Sequence, residues 1–272
     1  MLSAVVTTEF DSATAVARGG ENAFTATLSR DWWVVTGPNG GYVASVLLRA
    51  LTERIGDPER MARSLTVHYL RAPGEGAVEI ETRLIREGRS VTTMAASMTQ
   101  HGAEVAVATA VFARPRPFWP FHDAEMPPVP APEDTPASSW PPDLFPPIAR
   151  RFTYRPITKE TVFTGEPRAE LACWLRLNEP RPLDPVLLAT LADAAAPAVF
   201  PKATAPVAAT TIDLTVHFRA PADMAPYDGW AMSAFRSRVS VDGFVEEDGE
   251  LWTPDGRLIA QSRQLALLMP VS

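Results

Sequence analysis

One phrase occurs twice in this chain. Residues 65–73 read LTVHYLRAP, and residues 214–221 read LTVHFRAP, one residue shorter. A repeat whose period is about half of the 272 residues predicts two fused copies of one small domain rather than a solenoid. The positions at which the two copies differ then indicate which copy has retained candidate catalytic residues.

Composition restricts the class of protein. The chain is 46% hydrophobic and 21% charged, so it can bury a sizeable core and is not of the disordered type. Its net charge of -7 argues against general nucleic-acid binding, which needs a basic face. The single cysteine, Cys173, forms no internal disulfide and fits a reducing compartment. No signal sequence and no membrane-spanning apolar run is evident, so we expect a cytoplasmic protein.

A proline-rich segment divides the chain. Between Arg114 and Arg151 stand the pairs Pro127-Pro128, Pro141-Pro142 and Pro146-Pro147. Proline removes backbone donors and disfavours helix, so this segment is predicted to be an extended linker that docks along the surface through its aromatic residues. The predicted domains are therefore 1–113 and 151–272, joined by a linker at 114–150.

Each half shows the same order of elements. In the first half a strand near 23–29 precedes an apolar helical pattern from Tyr42 to Leu51, with Gly56 as the expected end. Strand patterns follow at 64–70, 77–86, 90–99 and 104–113. The second half repeats the order, with a strand at 170–177, a helix at about 184–199 and strands at 207–218, 230–239, 244–252 and 258–268. One long helix with an antiparallel sheet around it is an α+β arrangement.

That order, together with WVVTGPNGGYVA at 33–44 and the twin LTVH strands, resembles the hotdog fold. More closely, the chain resembles the double-hotdog acyl-CoA thioesterases, in which two hotdog domains are fused. The resemblance implies an α+β fold of two hotdog domains, each an antiparallel sheet wrapped around one long helix. It also implies hydrolysis of an acyl-CoA to free acid and CoA, as part of lipid metabolism. A homodimer of such chains is expected on the same ground.

The resemblance also implies the site residues. The family places an acidic residue on the second helix and a Thr and a Gln on second-half strands, which correspond here to Asp193, Thr211 and Gln264. In such a site Asp193 activates water, Thr211 and Gln264 hold that water, and the backbone N–H groups of Gly40-Gly41 at a helix start polarise the thioester carbonyl. Neither a metal nor another cofactor is required.

The repeat allows an internal comparison of these candidates. Aligned by apolar positions, the helices pair Arg49 with Asp193, and Gly40-Gly41 with Asp184-Pro185. The strands pair Ala62 with Thr211 and Ala110 with Gln264. Because the polar candidates stand only in the second copy and the glycines only in the first, the sequence predicts one active site per chain, built from both halves.

Other readings stay open from the sequence. The glycines can serve only as a tight turn, and Thr211 can belong to an exposed polar strand face with Asp213, Thr215 and His217. The chain can be a noncatalytic acyl-CoA binding or sensing protein. A hotdog hydratase is less favoured, because its families pair an Asp with a His five positions later and no such pair is present. Motifs of α/β-hydrolases, zinc enzymes and P-loop proteins are also missing from the sequence.

Overall fold

The computed structural model describes residues 7–141, 145–219 and 229–271, and it has the predicted two-part order. The α-helices are α1 (Glu9–Ala13), α2 (Gly40–Ile55) and α3 (Pro185–Leu191). Short 3₁₀ helices lie at Arg30–Trp32 and Pro147–Arg151. The first-half strands are β1 (Ala17–Arg18), β2 (Ala23–Leu28), β3 (Met61–Tyr69), β4 (Gly76–Glu87), β5 (Val91–Gln100) and β6 (Ala103–Ala113). The second-half strands are β7 (Phe152–Pro156), β8 (Ala169–Leu177), β9 (Val207–Phe218), β10 (Ala231–Ser237), β11 (Ser240–Val241), β12 (Phe244–Trp252) and β13 (Leu258–Pro270).

The strands form one antiparallel sheet that runs through both halves. Its order is β1-β2-β4-β5-β6-β3-β9-β13-β12-β10-β8-β7, with β11 paired to β12. The halves meet where β3 pairs with β9, and there Thr66 lies directly opposite Thr215, with their hydroxyl oxygens 3.0 Å apart. These two residues occupy the same position in the repeated phrase. The repeat therefore generates a pseudo-twofold axis between them.

Helix α2 forms where the sequence predicts it. Asn39 caps its start by accepting a hydrogen bond from the N–H of Tyr42 at 2.9 Å, and Gly56 ends it with a φ of 62°, a left-handed conformation that glycine adopts without strain. The helix is buried along most of its length against the sheet. No helix in the described ranges has the length and apolar character needed to cross a membrane.

Helices α2 and α3 lie side by side and antiparallel. Ser45 donates to the carbonyl of Val186 at 2.6 Å, and Thr190 donates to the carbonyl of Gly41 at 3.3 Å. This reciprocal pair makes Ser45 equivalent to Thr190. The predicted helix alignment is therefore wrong by one residue, because both helices are too uniformly apolar for their pattern to fix the register. The counterpart of Asp193 is Leu48, not Arg49, and Gly40-Gly41 correspond to Pro185-Val186.

Helix α3 is shorter than predicted. It ends at Leu191 rather than near 199, so Asp193 lies in the turn that follows the helix and not within it. Pro197 excludes the predicted continuation to 199, because it has no N–H to donate to the carbonyl four residues earlier, that of Asp193, and its ring would clash with that carbonyl. The side chain of Asn39 donates to that carbonyl instead, at 2.7 Å.

The linker docks, but three of the four aromatic residues expected to hold it are exposed; the fourth, Trp140, is half-buried, with its ring 6.2 Å from that of Phe145. Phe118, Trp119 and Phe121 are 80%, 80% and 75% exposed. The contacts come from the following stretch, whose backbone carbonyls accept hydrogen bonds from the second half: Trp174 donates to Pro130 at 2.9 Å, and Arg155 donates to Pro132 at 2.7 Å. Proline carbonyls remain free for such bonds because proline lacks only the donor.

Candidate active site

Asp193 and the start of helix α2 are in direct contact. The N–H of Gly41 donates to Oδ2 of Asp193 at 2.9 Å, and Nδ2 of Asn39 donates to the same oxygen at 2.9 Å. A residue from the second half is thus held by the amino-terminal end of a first-half helix. An anion at this place is favoured because the first-turn N–H groups have no partner within the helix and the helix dipole is positive there.

Glycine is needed at the contact because the two helices approach very closely. A Cβ atom on Gly41 would lie 2.7 Å from the carbonyl oxygen of Thr190 and 2.8 Å from that of Ala189. A Cβ on Gly40 would lie 3.0 Å from Oδ2 of Asp193. The hydroxyl of Tyr69 donates to the carbonyl of Gly40 at 2.7 Å and fixes the turn from the sheet side.

The environment changes the acidity of Asp193. Burial raises its pKa from an ordinary value of 3.8 to about 6, although hydrogen bonds from Gly41, Gln264, Gly40 and Asn39 act in the opposite direction. The carboxylate is therefore charged at neutral pH and still has a pKa close to the range that suits a general base. Burial thus disfavours the charged form of Asp193, and several hydrogen-bond donors aimed at the carboxylate favour it.

Thr211 and Gln264 are neighbours on the inner face of the sheet. The hydroxyl of Thr211 donates to Oε1 of Gln264 at 3.0 Å. Strand β9 has a bulge at Ile212, which has no partner on β13. Thr211 therefore pairs with the buried Ala266, and Asp213 pairs with Leu265. Because a bulge shifts the alternation of side chains by one residue, Thr211 does not share the face of Asp213. The reading of Thr211 as part of an exposed polar face is therefore wrong.

Two site residues were not predicted from the sequence. Asn39 both caps helix α2 and binds Asp193, and its position directly before the glycines could have suggested the cap. Glu247 on β12 lies opposite Gln264, is 8% exposed, and accepts a hydrogen bond from Nε2 of Gln264 at 2.6 Å. It stands in the acidic run EEDGE, where four carboxylates look alike in the sequence. Only the strand register singles it out.

The equivalent positions of the other half carry no such groups. The strand register pairs Leu65 with Ala110 and Leu214 with Gln264, which confirms that Ala110 is the counterpart of Gln264. The same symmetry relates Glu247 to Met94 through their pairing with these residues. The positions that would form a second site are therefore apolar and buried: Leu48, Ala62, Met94 and Ala110.

The fold and this arrangement define a double-hotdog protein with one polar site between its halves. Comparison with known proteins agrees. Residues 29–113 match the family described as acyl-CoA thioesterase N-terminal domain, and residues 124–268 match the acyl-CoA thioesterase C-terminal domain. The chain belongs to the acyl-CoA thioesterase family and is a thioesterase.

Individual relatives show the same architecture. A hotdog-fold protein of unknown function from Alicyclobacillus acidocaldarius is 31% identical, with 98% of this chain and 100% of that chain covered and a TM-score of 0.88. A protein from Thermobifida fusca YX with a provisional thioesterase II name is 30% identical over 97% and 99% of the two chains, with a TM-score of 0.84. Acyl-CoA thioesterase 2 of Haemophilus influenzae is 27% identical over 84% of this chain and 86% of its own length. The predicted fold class of two fused hotdog domains is confirmed.

Proposed function

We propose that this chain hydrolyses acyl-CoA thioesters to free acid and CoA at a single site built from both halves. The observation that carries the proposal is the contact of Asp193 with the N–H of Gly41 at 2.9 Å, across the junction between the two copies. It is supported by the loss of every counterpart, since Leu48 replaces the acid and Pro185-Val186 replace the glycines.

In this mechanism Asp193 is the general base. Both of its bonds from Gly41 and Asn39 go to Oδ2, so Oδ1 is the oxygen that takes a proton from water. The resulting hydroxide attacks the thioester carbonyl carbon, and the tetrahedral intermediate collapses with cleavage of the carbon–sulfur bond. The CoA thiolate leaves and takes up the proton held by Asp193. No covalent enzyme intermediate is needed.

Thr211 and Gln264 orient the attacking water. A hydroxyl and an amide can each donate and accept, so together they can fix both the position and the lone-pair direction of one water molecule. Gln264 lies close enough to Asp193 to stabilise its charged form. The water is therefore assigned to the space that Asp193 and Gln264 share.

The start of helix α2 polarises the thioester carbonyl. The N–H of Gly41 makes the 2.9 Å hydrogen bond to Asp193, and the N–H of Gly40, the first of the helix, has no acceptor within the helix and also stabilises the charged carboxylate. We assign Gly40 to the carbonyl oxygen and Gly41 to the carboxylate. A donor of this kind contributes about 3 kcal/mol to transition-state stabilisation.

The decisive experiment compares Asp193→Asn with the wild type. Asn keeps the shape and can accept both bonds at one oxygen, so we expect the fold and acyl-CoA binding to persist while kcat falls by at least about 100-fold. Free-thiol release from a panel of acyl-CoAs measures the rate, and calorimetry measures binding. Asp242→Asn, in the turn between β11 and β12, is the matched control and should keep full activity.

The same assay separates the two functional classes. Binding without thiol release by the wild type would identify a noncatalytic acyl-CoA binding protein, and full activity of Asp193→Asn would remove the proposed base. Assembly of two chains into a homodimer stays a prediction, which light scattering of the purified protein tests.

A further inference from the structure

Glu247 is a buried carboxylate that the proposed mechanism does not use. Its Oε2 accepts a hydrogen bond from the N–H of Ala198 at 2.6 Å, and its Oε1 accepts one from Nε2 of Gln264 at 2.6 Å. Within the described residues no Lys or Arg pairs with it. A carboxylate that is buried with only neutral donors is costly for the folded state.

Packing does not explain this carboxylate. Met94 occupies the equivalent position of the first half and is 1% exposed, so an apolar side chain fits the same place in the fold. The second half therefore keeps a destabilising group at a position that the first half fills with methionine. The sheet position itself therefore does not require a carboxylate; in the second half Glu247 accepts from the buried N–H of Ala198 and from the amide of Gln264.

The chemistry of the two hydrogen bonds fixes the orientation of the Gln264 amide. The backbone N–H of Ala198 can only donate and an ionised carboxylate can only accept, so Gln264 turns its NH₂ group toward Glu247 once Glu247 is ionised, above the pKa of about 7 to which burial raises it. Its carbonyl oxygen then faces the hydroxyl of Thr211, which donates to it at 3.0 Å. The oxygen and the NH₂ group of a side-chain amide are similar in size, so the amide fits in two orientations. This hydrogen-bond network selects one of them.

We propose that Glu247 is a positioning residue for hydrolysis, which holds the Gln264 amide with its nitrogen toward Asp193 and the attacking water. This inference rests on the proposed function. The amide nitrogen carries two hydrogens, and since one is bound by Glu247 the other remains for the water or for Asp193. Reversal of the amide would present an oxygen to a carboxylate and remove a donor from the water.

Two substitutions separate orientation from packing. In Glu247→Gln the oxygen of the new amide must stay with the N–H of Ala198, so its NH₂ group faces Gln264 and forces the Gln264 amide to reverse. Volume and hydrogen-bond number are unchanged. In Glu247→Met, which copies Met94, the Gln264 amide is unrestrained and can still adopt the active orientation part of the time.

The expected order of kcat is wild type, then Glu247→Met, then Glu247→Gln. For Glu247→Gln we expect kcat to fall on the order of 10- to 100-fold, the scale of a misplaced reacting group, with KM unchanged because the residue does not touch the substrate. A residue that served only packing would give the opposite order, since Gln is the closer replacement. Thermal unfolding verifies that both variants are folded.

A second arm uses Gln264→Leu. If Glu247 acts only through Gln264, adding Glu247→Gln to Gln264→Leu should lower kcat no further. Wild-type kcat in Glu247→Gln, a greater loss in Glu247→Met, or a full additional loss in the double variant would each overturn the inference. Activity in Asp193→Asn would instead overturn the proposed function, so the two failures are distinguishable.

Discussion

At the scale of single residues, the pKa of Asp193 predicts the pH dependence of the reaction. The base must be charged to accept a proton, and its pKa is raised by burial to about 6. We therefore expect kcat/KM to fall about tenfold per pH unit well below 6, and to level off only above the pKa of about 7 to which burial raises Glu247. A pH–rate profile measures this. The affinity for a nonhydrolysable acyl-CoA analogue, measured separately over the same pH range, is the control for binding. A fall of kcat/KM centred near pH 4, the acid limb of the profile, would show that burial does not raise the pKa of Asp193.

Asn39→Asp moves that limb in a defined direction. The substitution keeps an oxygen that can cap helix α2 but replaces the donor to Asp193 by a second carboxylate. Like charges in contact disfavour the charged form, so the pKa of Asp193 rises further and the acid limb shifts to higher pH. Asp242→Asn, in the turn between β11 and β12, should leave the profile in place. A limb that stays near 6 in Asn39→Asp would contradict the role given to Asn39.

The same pKa predicts a stability effect of Asp193→Asn. The folded pKa of about 6 lies above the ordinary value of 3.8, so the folded state is penalised once the carboxylate ionises, fully above pH 6 and not at all below 3.8. That difference corresponds to about 3 kcal/mol at most. Asp193→Asn should therefore be more stable than the wild type at pH 8, with a smaller gain at pH 5. Urea unfolding at both pH values tests this, and a gain that grows toward low pH would contradict it.

Residue chemistry also shows why the sequence predicts only part of this site. Asp193 is the acid in an otherwise apolar stretch, so it can be singled out from its neighbours. Glu247 stands among other acids, and Thr211 changes face through a bulge that no alternation pattern predicts. The roles of these two residues depend on the register between strands, and the sequence around each residue does not determine that register.

At the scale of elements, the close approach of α2 and α3 predicts the effect of Gly41→Ala. The new methyl group would meet backbone carbonyls at 2.7 and 2.8 Å, which do not move as flexible side chains do. We expect a loss of about 1 to 3 kcal/mol in unfolding free energy, and a loss of activity because the contact with Asp193 opens. Gly20→Ala is the matched control, since its nearest neighbour would be 3.8 Å away. Equal stability of the two variants would contradict this account of the helix contact.

The elements themselves were predictable to different degrees. Strands β9 and β12 have the predicted bounds, because alternating side chains bounded by turn residues define a strand locally. The end of α3 was not predicted, although Pro197 stands in the sequence, because the apolar pattern continues to Val199. Helix register also failed, since it is set by contacts such as that of Ser45 with Val186 and not by either helix alone.

At the scale of the whole molecule, the pseudo-twofold axis between Thr66 and Thr215 relates two places where a site could form. One of them unites a carboxylate, an amide and a helix start, and the other is filled by apolar side chains such as Leu48 and Ala110. The division into 1–113, 114–150 and 151–272 stays a prediction. Whatever the boundaries, neither half contains both Asp193 and Gly41, so neither can form the site alone.

This asymmetry predicts the binding stoichiometry. A nonhydrolysable acyl-CoA thioether should bind with one molecule per chain, because the start of α2 binds an acid of the other half, Asp193, whereas the start of α3 is capped by its own Asp184 and its counterpart of Asp193 is Leu48. Calorimetry gives the number directly, and Gly41→Ala should weaken that single event while Gly20→Ala leaves it intact. A value of two per chain would mean that the apolar copy still binds substrate, and the replacement of the acid by Leu48 and of the first glycine by Pro185 would then concern catalysis alone. One event that vanishes in Gly41→Ala would locate the substrate between the two halves.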